Sequence, residues 1–126
     1  MHVISIGIAL LTAAAIIVVG LMYLFVPGTM MKSFGLPLPG DNPNVAWWLR
    51  LKGTRDVVSG LIVLALVVWG SSHLIGIVLA IAALIPIGDM SLVLAARGSV
   101  RTALSVHGLT AAVMLVGAVP LIAGPA

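Results

Sequence analysis

From Val3 to Val26 the chain carries no charged residue, and a stretch of that length constrains the fold more than any other feature of the sequence. A hydrocarbon core about 30 Å thick is crossed by roughly 20 helical residues at ~1.5 Å each. In lipid every backbone N–H and C=O must be paired within the segment, so a stretch of this kind is helical. It ends at Pro27-Gly28, a helix stop. Residues 53–70, 74–96 and 102–123 repeat the apolar pattern. The first stretch is not read as a cleavable leader: Met1-His2 offers no basic region, and the apolar run exceeds the roughly 7–15 residues of such a leader. The expectation is an all-α fold, an integral membrane four-helix bundle forming one domain over residues 1–126. Its spans are expected at about 3–26, 53–70, 74–96 and 102–123.

Charge fixes the expected orientation. Only 7% of the residues are charged, against about 25% in an ordinary soluble domain, so most of the surface must face lipid. Four spans place the termini on one side. The other side holds the long loop (residues 27–52) and the Arg97-Gly98-Ser99 turn, which carry Lys32, Arg50, Lys52, Arg97 and Arg101. The opposite face has no Lys or Arg. Positive residues stay in the cytoplasm, so both termini, Ala126 included, are expected outside a cell (inner) membrane. The net charge of +3 without a basic run does not point to nucleic acid, and with no Cys there is no thiol chemistry. Asp41-Asn42-Pro43 reads as a helix start, with a side-chain acceptor for the free N–H groups and Pro in the first turn. Trp47, Trp48 and Trp69 read as interfacial anchors, and His2 and His73 as solvated residues.

The remaining polar side chains fall in one leaflet. Asp89 lies eight residues before Arg97 and His107 six beyond Arg101, roughly 12 and 9 Å deep. Asp56, four beyond Lys52, and Tyr23, four before Pro27, lie at roughly 6 Å. An ionised carboxylate costs about 2.5–3.5 kcal/mol at a helix centre in lipid, so these groups face inward and find partners. Lys52, Asp56, Ser59 and Gly60 share a helix face, which makes Lys52–Asp56 a same-helix pair and leaves Arg55 to reach Asp89. His107, Thr110, Ala111 and Met114 share a face on the last span. With His107 neutral, Arg55, Asp56 and Asp89 sum to −1, so a dry site is expected to hold one shared proton. Pro86 removes a backbone bond and frees the Ala82 carbonyl, which predicts a local break beside Asp89.

The candidate catalytic residues are therefore Asp89, His107 and Arg55, with Tyr23, Asp56, Ser59, Thr110 and Met114 as candidate binding residues. Spans three and four are joined by a short turn and should be antiparallel neighbours, which brings Asp89 and His107 together as a proton-transfer pair. One deep His and two Asp on three helices, with no i, i+3 or i, i+4 ligand pair, do not suggest a metal. No cofactor fingerprint is present. Three functions fit: a membrane protein that binds or converts a lipophilic small molecule by acid–base chemistry, a non-catalytic membrane subunit in which the cluster only clamps helices, and a small proton-coupled transporter. The expected partners are the lipid bilayer, a lipophilic small molecule and a further copy of the chain.

Phe34-Gly35-Leu36-Pro37, Lys52-Gly53-Thr54-Arg55-Asp56, Ile85-Pro86-Ile87-Gly88-Asp89 and His107-Gly108-Leu109-Thr110-Ala111 occur in that order. The order resembles that of a family of small bacterial and fungal four-span proteins catalogued as a domain of unknown function, itself distantly similar to DoxX-like membrane proteins. The resemblance extends over nearly the whole chain, with the K-G-x-R-D element its most specific part. It implies a four-helix membrane bundle and no particular activity. Larger membrane proteins of similar architecture, of the sterol-isomerase type, perform acid–base chemistry on lipophilic substrates, an analogy of fold alone.

Overall fold

The computed structural model describes residues 1–124 and is helical throughout, with no strand among them. The helices are α1 (His2–Phe25), α2 (Pro27–Ser33), α3 (Asn44–Trp69), α4 (Ser72–Ala95) and α5 (Val100–Ala123). By length and composition α1, α4 and α5 can cross a membrane. α3 is as long, at 26 residues, but Arg50, Lys52, Arg55 and Asp56 crowd its first half. Ala126, expected outside, lies beyond the described residues.

Small residues decide how the helices pack. A Cβ at Gly53 would stand 2.6 Å from the Gly20 carbonyl oxygen, and one at Gly60 would stand 2.8 Å from that of Ala13. α1 and α3 therefore run antiparallel with their backbones in contact, the close approach that small residues permit between apolar helices. On the other side of the bundle, Gly76 of α4 meets Leu121 and Ile122 of α5. α5 also lies against α1, where Gly117 receives Ile8. Ala9, Ala13, Val63, Ile75, Leu79, Met114, Ala118 and Leu121 fill the core of the half remote from the long loop. His2 Nε2 and Ser72 Oγ, 2.6 Å apart, join α1 to α4 at that end, and His2 is exposed there.

In the other half the helices are less regular. α4 breaks at Ala83, three residues before the buried Pro86 and next to the freed Ala82 carbonyl, as the proline predicts. α3 contacts the Ser72–Ala82 half of α4 and makes few contacts with the half below the break, from which a cleft separates it. α5 contains a π-helical segment, Ala103–Gly108, that no sequence signal announced. α4 ends with Arg97 in the left-handed region (φ 55); Gly98 N donates to Val93 O at 2.9 Å and Arg97 N to Leu94 O at 3.1 Å, a Schellman closure.

The long loop is more structured than the sequence suggested. α2 occupies its first part, and α3 begins at Asn44, with Asn42 Oδ1 accepting from Asn44 N at 2.9 Å. Between them Gly35 adopts φ +98, a conformation suited to glycine. Its carbonyl accepts from Ser99 N at 2.7 Å, which ties the loop to the α4–α5 turn.

Candidate functional site

The polar cluster begins with the i, i+4 pair of α3. Lys52 Nζ donates to Asp56 Oδ2 at 2.6 Å, as the spacing predicts, and Asp56 is buried. The ammonium stands 4.7 Å from the Tyr23 ring centroid and 5.4 Å from that of Phe34, within reach of their negative faces. Gly53 brings Tyr23 close enough for this: a Cβ on residue 53 would lie 2.9 Å from that of Tyr23. Tyr23 is itself buried, with its hydroxyl 3.5 Å from the Met30 carbonyl.

The second element is Asp89 and His107. His107 is buried within the π-helical segment, and π-bulges often mark functional positions in helices. Its Nε2 lies 2.9 Å from the Phe34 carbonyl oxygen, and the two rings are 4.6 Å apart. A carbonyl has no hydrogen to give, so Nε2 carries the proton. Nδ1 of the neutral ring is then an acceptor, and it faces Asp89 Oδ2 at 3.9 Å. That separation is about an ångström beyond a hydrogen bond. A bond across it requires one added proton, on Asp89 or on Nδ1.

Two clefts meet at this cluster. One, of about 420 Å³, separates α3 from the lower half of α4 and is lined by Leu51, Arg55, Asp56, Ser59 and Ile85. The other, of about 580 Å³, lies under the loop between Tyr23, Phe34, Leu36, Pro37 and Leu92. Trp48, Lys52 and Asp89 line both. No three His, Asp or Glu side chains gather closely enough to hold a metal ion among the described residues.

Several expected residues sit elsewhere. Arg55 is exposed and forms no ion pair with Asp89: among the described residues Lys52 pairs with Asp56, and Asp89 faces His107 instead. The cleft between α3 and lower α4 leaves Arg55 on its wall. Ser59 shares that wall, with Oγ donating to the Arg55 carbonyl at 2.8 Å. Thr110 is exposed, and its hydroxyl bonds the Val106 carbonyl at 2.7 Å. It lies about 60° around α5 from the His107 direction and satisfies itself locally. Met114 is buried in the apolar core, away from the cluster. The sequence reading missed Phe34, whose carbonyl sets the His107 tautomer, and took Trp48 only for an interfacial anchor. The Phe34-Gly35-Leu36-Pro37 element was visible, but nothing in it specified a contact 73 residues away.

No curated protein and no solved structure matches the chain. A family model described as domain of unknown function DUF4267 matches residues 13–121, a range that contains Tyr23, Phe34, Lys52, Asp56, Asp89 and His107, and the chain belongs to that family.

Proposed function

We propose that this is a four-span protein of the cell membrane that binds a lipophilic small molecule beside Asp89 and acts on it by acid–base chemistry. α3 supplies the fourth span: it packs antiparallel on α1 from Gly53 to Gly60, so where α1 crosses, α3 crosses with it. Its charged first half then lies in the headgroup region, beside Lys32, Arg97 and Arg101, and the bias of positive residues places that end in the cytoplasm.

The observation that carries the reading is the His107–Asp89 arrangement at 3.9 Å, with the far ring nitrogen tied to Phe34 and both clefts reaching Asp89. A shift of about an ångström would bring the two groups onto one proton, which could then pass between them, as general acid–base work demands. Lys52, Arg55, Asp56 and Ser59 give the cleft between α3 and α4 a polar wall, the cleft under the loop is mainly apolar and aromatic, and Trp48, Leu51 and Ile85 are exposed where acyl chains would surround them. Such a site admits a molecule from the bilayer. The packed apolar core of the opposite half interrupts any path through the bundle, which sets a proton-coupled transporter behind this reading.

The test is extraction and mass spectrometry of small molecules that copurify with the wild type, Asp89→Asn and His107→Gln proteins in mild detergent. A lipophilic species retained by the wild type, and altered in amount or identity in variants that remain helical and monodisperse, is the expected result. Identical extracts from all three would reduce the cluster to a helix clamp in a non-catalytic subunit.

A further inference from the structure

We infer that the ligand carries a carbonyl group and that Lys52 holds its oxygen while Asp89 moves a proton at the neighbouring carbon. This rests on the acid–base reading above and adds a substrate class to it. Lys52 and Asp89 both line each of the two clefts, so a head group seated where the clefts meet lies between an ammonium and a carboxylate. The ammonium has three hydrogens. One goes to Asp56, and the Tyr23 and Phe34 rings that flank the nitrogen supply no oxygen or nitrogen acceptor. A ligand oxygen in the cleft would complete this donor set.

The charges select among oxygen head groups. Lys52 and Arg55 balance Asp56 and Asp89 on the cleft walls, so the site is neutral and a carboxylate or phosphate ligand would add a negative charge that Asp56 and Asp89 oppose. A neutral carbonyl meets no such opposition. It develops negative charge on oxygen only as the reaction proceeds, which is where a preorganised cation is most effective. The chemistry balances within the site. Asp89 takes a proton from the carbon next to the carbonyl; that C–H bond breaks and an O–H bond forms. The released pair makes a carbon–carbon double bond, and the carbonyl π pair moves onto the oxygen held by Lys52. The acceptor Nδ1 of His107 receives a hydrogen bond from the newly protonated Asp89, closing the 3.9 Å separation. Return of the proton at the same carbon exchanges that hydrogen, and return two carbons along an adjacent double bond shifts the double bond, both with no change in oxidation state.

Two probes test the assignment on the full-length protein in detergent. 4-Nonylphenol resembles the enol and offers its oxygen to Lys52; nonylbenzene has the same shape and lacks that oxygen. Binding followed by tryptophan fluorescence should favour the phenol over the hydrocarbon by about tenfold in the wild type, the worth of one charge-assisted hydrogen bond. Lys52→Met should erase the difference, and Lys52→Arg should keep part of it. A lipophilic β,γ-unsaturated ketone should also acquire deuterium from D2O buffer in the presence of the wild type and not of Asp89→Asn. Equal binding of the two probes by the wild type overturns the carbonyl assignment whether or not the Lys52 variants fold. If copurified molecules still respond to Asp89→Asn in that case, the acid–base reading stands without it.

Discussion

Gly53 is the position at which one added carbon tests the packing that builds the site. Its Cβ would stand 2.6 Å from the Gly20 carbonyl oxygen, about 0.8 Å short of the 3.4 Å at which ordinary contact begins. Neither neighbour can yield cheaply, because both are helix backbone. α1 and α3 must therefore part by about 0.8 Å in Gly53→Ala. A gap of that size removes a quarter to a half of each carbon–carbon attraction of ~0.1–0.2 kcal/mol. Summed over a few tens of atom pairs, the loss is about 1–3 kcal/mol, the usual range for overpacking. Alanine also favours the helix by up to about 1 kcal/mol, and a control removes that term: Gly7 has nothing within 4 Å of its Cβ position, so Gly7→Ala should show the gain alone. Reversible unfolding by SDS in mixed micelles, followed by helical circular dichroism, should place Gly53→Ala about 1–3 kcal/mol below Gly7→Ala. Equal stabilities would mean that the two backbones do not touch.

The left-handed Arg97 predicts that Arg97→Gly stabilises the protein by about 1 kcal/mol, whereas Gly98→Ala destabilises it because the added carbon meets the Gly35 carbonyl; the same unfolding assay reads both. Nitrogen-15 spectra of His107 in micelles should report a proton on Nε2, and a neutral ring protonated only on Nδ1 would contradict the bond to Phe34. In intact cells a cysteine at position 33 should resist an impermeant thiol reagent and one at position 71 should react, with the opposite pattern reversing the orientation.

Repeating distances made part of this site legible. Four-residue spacing is enough for Lys52–Asp56, because a helix brings such residues together whatever surrounds it. Counting from the α4–α5 turn gave Asp89 and His107 similar depths, and the short turn made them neighbours. Depth does not give direction around the axis, however. The pairing of Arg55 with Asp89 failed because a cleft separates α3 from lower α4 below the Ala83 break, and periodicity carries no angle between helices. Thr110 and Met114 were placed by a face that an ideal helix would present. One faces outward and the other packs in the core, while His107 sits in the π-helical turn. Phe34 was invisible for a different reason. Its part is played by a backbone carbonyl, which every residue has, and only the Gly35–Ser99 tie puts it in reach of the imidazole.

That tie also sets when the site comes into being. The Phe34 carbonyl is made long before its partner, since His107 follows it by 73 residues. At synthesis rates of ~5–20 residues per second the interval is roughly 4–15 s. Once α3 has been made, α1, the loop and α3 can already pack through Gly20, Gly53 and Gly60, while the imidazole does not yet exist and Gly35 has no Ser99 to bond. Lys52 and Asp56 can pair early; Asp89 waits for the last helix. A ribosome that stalls before α5 thus releases a chain with Lys52 and Asp89 but no His107, and the proposed site is complete only in a molecule whose final helix has joined the bundle.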